Sequence, residues 1–448
     1  MLLFLIISFL FATLFSVVTQ SVSVFIFYLF FIILGYFLIR IAGKKQIRKT
    51  SNYIFGLFYL TYTLFAFGVF LYKIHYNLEY VRASDQLFFY NLAERLGENP
   101  DFSSIINYGF LQMLNHGSGG YTILTGAISF IANHFIDGNQ LLLHLFTISF
   151  FSSFSIVVLF RILVNYFSRQ MARKYALLFG FFSYLFYYSG FMLRDAVIAF
   201  LFMQAIYLLH NTKFTYSVLF RLIILAFLTF SFRYEDGLFM LLFIGLYLWK
   251  TDTNYKKRIA QLTLIIIMIT SVTLVRSTFN QISFKREQRQ EYFSSKLSEN
   301  KSGLAAELYK LPPILKEVSV SAFVLINPFP FWAIFSGKAG DVIFLNYSLA
   351  GIFWYFVNGF ILFALIFKSK KLKIETWIKI VLITAYSFIL LNAFYEIQLR
   401  RIMAIYPLIY ISFLYLYNKT SIKLRKQITG FLSVGYFILS FTYLLFKF

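Results

Sequence analysis

The sequence predicts an all-helical protein that crosses a membrane many times, on three observations. Of its 448 residues 60% are hydrophobic and only 13% charged, with a mean hydropathy of +0.73, more apolar surface than one soluble core of this length can hide. The apolar residues come in runs of roughly 15 to 25 bounded by charge clusters, the length a helix needs to cross about 30 Å of hydrocarbon. The runs lack the alternation of a barrel strand. In lipid only helices and closed barrels satisfy every backbone amide, so helices remain.

Basic loops orient the spans. GKKQIRK (43–49), SRQMARK (168–174), KTDTNYKKR (250–258), KSKKLK (368–373) and NKTSIKLRK (418–426) follow the positive-inside pattern and are expected in the cytoplasm. NTKFTYSVLFR (211–221) joins them with less charge. Between these loops the chain must leave and return. That places spans near 2–18, 21–42, 53–73, 140–167, 175–193, 196–210, 218–232 and 237–249. Five more follow near 261–275, 346–367, 376–395, 402–417 and 428–446. The total is about 13 spans with the N-terminus inside. MLLFLIISFLFATLF at the start has neither a basic region nor a small-residue cleavage site and reads as a retained first helix. Residues 1–448 are expected to form one integral membrane domain, without internal repeat or separable soluble part.

Two long connections fall on the outside, 74–139 and 276–345. The first contains YVRASDQLFFYNLAERL and is acidic, with Glu79, Asp85, Glu94, Glu98, Asp101 and Asp137. Its second half, GGYTILTGAISFIANHF, is apolar but broken by Gly and His, which predicts a helix lying in or dipping into the outer interface. The second connection opens with the solvated FKREQRQEYFSSKLSENKSG and closes on INPFPFW, whose prolines and aromatics suit a turn at the membrane surface.

The remaining outer turns are short and unusually charged. FMLRDAVIAF carries Arg194 and Asp195, FSFRYEDGLFM carries Arg233, Glu235 and Asp236, and YEIQLRRIMAIYP carries Glu396, Arg400 and Arg401, with Pro407 following. Ionisable groups at such depth must pair or line a wet cavity. Singly, each Arg has a plainer reading as a snorkelling helix end, and Arg194–Asp195 or Arg233–Glu235 as a local ion pair. Together they run against the positive-inside bias. Arg grips phosphate in a bidentate fork, so outward arginines near a carboxylate suit a phosphate-bearing lipid headgroup, with Arg82 beside Asp85 as a further candidate.

Other chemistry is narrower. No cysteine is present, which removes disulfides, thiolates and Cys-based metal sites. The five histidines show no ligand spacing, whereas Asp85, Asp195, Glu235 and Asp236 offer hard oxygen ligands for a divalent cation. A net charge of +23 could point to nucleic acid, but most Lys and Arg lie in short loops between apolar runs. Without a nucleotide-binding Gly loop, a soluble nucleotide-sugar donor is not expected.

Order and spacing of SDQLFFYNLA, GGYTILTGAISFIA, LFRILVNYFSRQMARKYALLFG leading to YSGFMLRDAV, then NPFPFW and LRRIMAIYPLIYI resemble the GT-C superfamily of membrane glycosyltransferases. More narrowly, they resemble bacterial relatives of the dolichyl-phosphate-mannose protein mannosyltransferases. The resemblance implies a bacterial plasma-membrane enzyme that moves a sugar from a polyprenyl-phosphate carrier to a glycan, lipid or protein acceptor on the extracytoplasmic face. It makes Asp85 the catalytic base or acceptor-orienting group, and it leaves metal dependence open. Two departures stand out: Gln86 follows Asp85 where the family often has Asp-Glu, and two helices precede the usual first span. A polymerase joining lipid-linked polysaccharide repeat units would use the same residue types. A glycolipid flippase or transporter would instead place charges at mid-helix and show a repeat between halves.

Overall fold

The computed structural model describes residues 2–42, 45–79, 84–211, 215–250, 258–259, 261, 311–326, 341–368, 374–395 and 399–447. Among them helix is the rule and no strand occurs. Four helices are long and apolar enough to cross a membrane: Val22–Ala42, Lys45–His75, Leu141–Leu163 and Leu345–Ile366. Phe4–Thr19, Asp195–His210, Tyr216–Phe232 and Thr376–Asn392 are apolar but shorter. The expected span at 261–275, most of the connection 276–345, Arg82 and Glu396 lie outside the described residues. Packing divides the chain into two compact units, Met1–Gly237 with Ile334–Ala350, and Leu238–Ala333 with Gly351–Phe448.

The first unit is built on three long helices, α1 (Leu2–Thr19), α2 (Val22–Ala42) and α3 (Lys45–His75), followed by α4 (Ser84–Gly97), α5 (Phe102–His116) and α6 (Gly119–Phe135). Next come α7 (Leu141–Leu163), α8 (Arg169–Phe182), α9 (Tyr184–Tyr188), α10 (Asp195–Asn211) and α11 (Tyr216–Phe232). Helix α7 is apolar or small all round and is therefore surrounded: it packs against α2, α3, α8 and α10, and nearly every residue is buried. Aromatic rings fill the seams. Phe15 lies 4.6 Å from Phe67 and 5.5 Å from Phe146, and Tyr28 lies 5.3 Å from Tyr59. Such edge-to-face and tilted pairs add about 0.5–1.5 kcal/mol each beyond burial.

Hydrogen bonds sort the helix ends. At one end the Arg169 Nε donates to the Thr50 hydroxyl at 2.8 Å, and Tyr166 meets His210. These tie together the segments 43–50, 166–174 and the end of α10, all expected on one side from their basic charge. At the other end Asp137 accepts from the Ser23 amide at 2.8 Å and from Val22, satisfying orphan donors at the start of α2. Helix α6 therefore runs from a turn beside the Phe232 carbonyl to a turn beside Ser23. Its 17 residues, roughly 25 Å of helix, link the ends of α11 and α2.

The second unit takes in most of α12 (Tyr234–Trp249), then α13 (Pro313–Ile326), α14 (Asp341–Lys368, from Gly351 on), α15 (Thr376–Tyr395), α16 (Tyr406–Lys419) and α17 (Ile422–Lys447). Trp354 of α14 meets Tyr406 edge-on at 4.4 Å, and the Tyr386 hydroxyl of α15 donates to Asn358 of α14 at 3.2 Å. The Tyr355 hydroxyl of α14 donates to the Leu432 carbonyl of α17 at 3.1 Å.

Several boundaries differ from the sequence reading. The expected span 175–193 is two helices, because Ser183 interrupts the chain and caps α9 through the Leu185 amide. Helix α8 begins earlier, at Arg169, where the Ser168 hydroxyl accepts from Met171. The segment 402–417 is also divided. Leu399–Ala404 form a 3-10 turn, and α16 starts at Tyr406 with Pro407 in its first turn, where the missing amide costs nothing. Helix α13 lies within the connection expected to be loop. Basic residues expected in loops form first turns instead: Lys45 and Arg48 in α3, Lys423 and Arg425 in α17.

Candidate functional site

Asp85 stands in the first turn of α4, where a helix N-terminus favours a carboxylate, and is half-buried. Residues Gln86, Phe89, Ala93 and Leu96 are buried, the i, i+3, i+4 stripe of a helix with one packed face. That stripe lies on α6: the Phe89 ring meets Tyr121 edge-on at 4.7 Å. One turn after Asp85 on the same side, Phe89 also lies under the Arg194 guanidinium, 5.9 Å from its centroid.

Arg194 sits in the turn before α10 and is half-buried. Its Nη1 donates to the carbonyls of Gly117 at 3.2 Å and Phe232 at 2.8 Å. Three turns thus meet at one guanidinium. The Gly117 carbonyl is presented by a left-handed residue, φ +63°, that ends α5, a conformation glycine adopts without strain. Next to it Gly119 comes so close to the Gly109 carbonyl that a Cβ would stand 2.0 Å from it. Of the GG in GGYTILTGAISFIANHF, the first glycine is therefore a packing requirement between α5 and α6, and the second, Gly120, packs against Ser231 of α11.

Beneath Arg194 lies a buried ionic cluster. The Arg233 Nη2 donates to the Asp195 Oδ1 at 2.8 Å and its Nη1 to the Asp236 Oδ2 at 3.0 Å. All three side chains are nearly inaccessible. The sequence reading made Arg233 a candidate phosphate ligand, with a local pair to Glu235 as its plainer alternative. Asp236 takes that place because i, i+3 residues share a helix face, and Asp195 comes from another turn; Glu235, half-buried, still acts on Arg233 through its charge. Nor is Arg233 a snorkelling helix end, since both terminal nitrogens of its fork face carboxylates. Fully buried Tyr121 faces this cluster. Burial first, then the Asp195 charge, hold its phenol protonated well above its ordinary range, and the hydroxyl has no hydrogen-bond partner among the described residues.

Around α4 from Asp85, a cleft separates α4 from α3 and α7. Val69 and Phe70 of α3, Leu87 of α4, and Leu141 and Leu145 of α7 line its apolar walls. Lys73, Glu79, Gln86 and Tyr90 supply its polar lining, and its free volume is about 20 Å³. A neighbouring hollow of about 300 Å³, lined also by Asn77 and Gln140, shares Phe70, Lys73, Tyr90 and Leu141 with it.

The structure thus brings Arg194, Asp195, Arg233 and Asp236 together and ties them to Phe89 on the helix of Asp85. Arg400 and Arg401 belong to the second unit, on its 3-10 turn, half-buried. Among the described residues no three His, Asp or Glu side chains gather as metal ligands would. Sequence reading missed Tyr121, Gly117 and the cleft residues Lys73 and Gln86. Lys73 was visible only as the end of a span, and Gln86 only as the departure from an Asp-Glu pair. No protein-family model, curated protein or solved structure matches this chain.

Proposed function

We propose that the protein is a polytopic membrane glycosyltransferase of GT-C type. It takes a sugar from a polyprenyl-phosphate carrier and passes it to a hydroxyl of a glycan, lipid or protein acceptor on the extracytoplasmic face. The observation that carries the reading is that Arg194 reaches the helix that begins with Asp85, through a ring one turn further along. Asp85 is one helical turn from Phe89, and the Arg194 guanidinium lies over that ring. Transfer needs those two groups close together. Asp85 removes the proton of the acceptor hydroxyl as its oxygen attacks the anomeric carbon. The bond from that carbon to the phosphate oxygen breaks, its electron pair stays on the phosphate, and Arg194 stabilises the charge that gathers there.

Arg233 has a different role in this scheme from the one its type implied. Its fork is engaged by Asp195 and Asp236, so it anchors the turns that carry Arg194 instead of gripping phosphate itself. The apolar helices support the membrane setting. About 13 spans, an inside N-terminus and an outward-facing Asp85 follow from the basic loops.

The test is Asp85→Asn, which keeps shape and removes charge. Transfer from a synthetic polyprenyl-phosphate sugar by the purified enzyme should fall about 10²–10⁴-fold with expression unchanged. Retention of more than about half the wild-type rate, in an assay limited by chemistry, would sink the assignment.

A further inference from the structure

Three helix ends of the first unit carry exposed cations and no acid. Arg40 closes α2, Lys45 and Lys49 open α3, and Arg169, Arg173 and Lys174 open α8. All are exposed, and none is in an ion pair among the described residues. The adjoining sequence offers no counter-ion, because residues 1–78 and 138–194 contain neither Asp nor Glu. Two arginines hold the ends together. The Arg48 Nη2 donates to the Arg40 carbonyl at 3.0 Å, fixing the start of α3 to the end of α2. Arg169 donates to the Thr50 hydroxyl through Nε at 2.8 Å and Nη2 at 2.6 Å, fixing the start of α8 to α3. Thr50 is neutral, so it orients the Arg169 fork without cancelling its charge. Like charges gathered on one surface repel, and the surface attracts an anion from outside the chain.

The neighbours of these cations say what carries the anion. On each helix an exposed apolar side chain stands one turn deeper on the same face. Phe37 precedes Arg40 on α2, Tyr53 follows Lys49 on α3, and Leu178 and Phe182 follow Lys174 on α8. Phe37 is 56% exposed and Tyr53 55%. A cation at the helix end with a ring or aliphatic chain beneath it matches the order of surfaces from lipid headgroup to acyl layer. A nucleic acid or an acidic soluble protein would leave those side chains in water. Helices α2 and α3 are also long and apolar enough to cross a membrane, so the apolar surface below the cations continues along them.

We infer that the joined ends of α2, α3 and α8 form a docking surface for the headgroups of anionic phospholipids. Lys49, Arg169 and Lys174 meet the phosphate, and Tyr53 and Leu178 meet the first acyl carbons. Clusters of about four to eight basic residues at a membrane surface hold acidic lipid in this way, each one adding roughly fivefold. A zwitterionic headgroup brings its own cation, which this surface repels. The Thr50 strap on Arg169 makes the site more than a charged rim, because it presents one planar phosphate-binding fork in a fixed orientation. The inference is independent of the glycosyltransferase reading: it uses no residue of that site and needs no assignment of sidedness.

The experiment titrates the full-length protein in detergent with phosphatidylglycerol and, separately, phosphatidylcholine, and reads bound lipid by native mass spectrometry. Wild type should prefer phosphatidylglycerol. Lys49→Gln combined with Lys174→Gln should weaken phosphatidylglycerol by at least about tenfold and leave phosphatidylcholine unchanged. Lys423→Gln combined with Lys426→Gln removes the same charge from exposed positions at the start of α17 and should weaken it far less. Thr50→Val keeps every charge and the side-chain shape but frees Arg169, and should weaken phosphatidylglycerol by about threefold or more, the loss of the strap's hydrogen bonds. That variant also decides the matter if loss of two basic residues impairs membrane insertion. Equal losses in the two double variants overturn the proposal in favour of net charge alone. Unchanged affinity in Thr50→Val overturns the built site, and equal binding of the two lipids by wild type overturns the anionic assignment. Displacement of phosphatidylglycerol by millimolar inorganic phosphate would mark a free-anion site and overturn the lipid as its occupant.

Discussion

The Arg233 guanidinium lies 2.8 Å from the carboxylate of Asp195, 38 residues earlier in the chain, and both side chains are buried. With Asp236 on its other terminal nitrogen, Arg233 is the shared counter-ion of two carboxylates. Removing one member of a buried ionic group leaves its partners charged without compensation, at about 3–5 kcal/mol. Arg233→Met should therefore lower the melting temperature in detergent more than Asp195→Asn, which leaves Arg233 paired with Asp236. Equal melting temperatures for the two variants would show that the cluster does not hold the turns.

Arg194 touches both a candidate substrate face and two backbone carbonyls. Arg194→Ala should lower kcat/KM for transfer by roughly 10²-fold or more, as loss of one charge-stabilising donor does. Lysine should recover only part, because it lacks the planar fork. Steady-state kinetics against donor concentration checks this; full activity in the alanine variant reduces Arg194 to a structural strap.

Asp137 caps α2 from 114 residues away. Partial burial raises its pKa, but the hydrogen bonds from Ser23, Val22 and Ser21 outweigh that and hold the carboxyl below its ordinary 3.8. A depressed folded value means the stabilisation is present above the unfolded value and is lost as pH falls through the folded one. Asp137→Asn should therefore destabilise by about 0.5–1 kcal/mol at neutral pH, modest because the carboxylate is exposed. The gap to wild type should close as the pH drops below about 3.8. Thermal unfolding of both proteins across pH 3–7 reads it (roughly the range that spans the carboxyl's titration). A constant gap would exclude the carboxylate as its source.

Sidedness is accessible because the chain lacks cysteine. Ser103 in the connection 74–139 and Gln170 in the basic segment 168–174 are both exposed, and the positive-inside pattern puts them on opposite sides. In intact cells, a cysteine at Ser103 should react with an impermeant thiol reagent and one at Gln170 should not. The reverse pattern would invert the topology and the proposed catalytic face.

Glycines separate packing from propensity. Gly119→Ala puts a Cβ against the Gly109 carbonyl, a backbone atom that cannot swing aside, whereas Gly430 in α17 has open space around it. The first substitution should cost about 1–3 kcal/mol, and the second should be neutral or stabilise by up to about 1 kcal/mol. Melting temperatures in one detergent compare them directly.

The sequence by itself determined that the chain is helical and apolar enough to cross a membrane, and roughly where most of its apolar helices lie. Apolar run length and charge spacing are local properties, and they foresaw the α6 segment, the charged turns at 194–195 and 233–236, and the basic ends joined by Arg169 and Thr50. Helix starts slipped where a side-chain cap decides, as at Ser168 and Ser183, since one hydroxyl bond outweighs a stretch of neutral hydropathy. Only the tertiary structure decided who partners whom. In sequence Asp195 sits beside Arg194 and Glu235 is the offered partner of Arg233, yet the geometry of two turns pairs Arg233 with Asp195 and Asp236. Lys73 and Gln86 look unrelated in the chain and become neighbours because α3 and α4 face one cleft. Pairing and burial depend on distances between segments, which the chemical identity of a residue and its near neighbours does not encode.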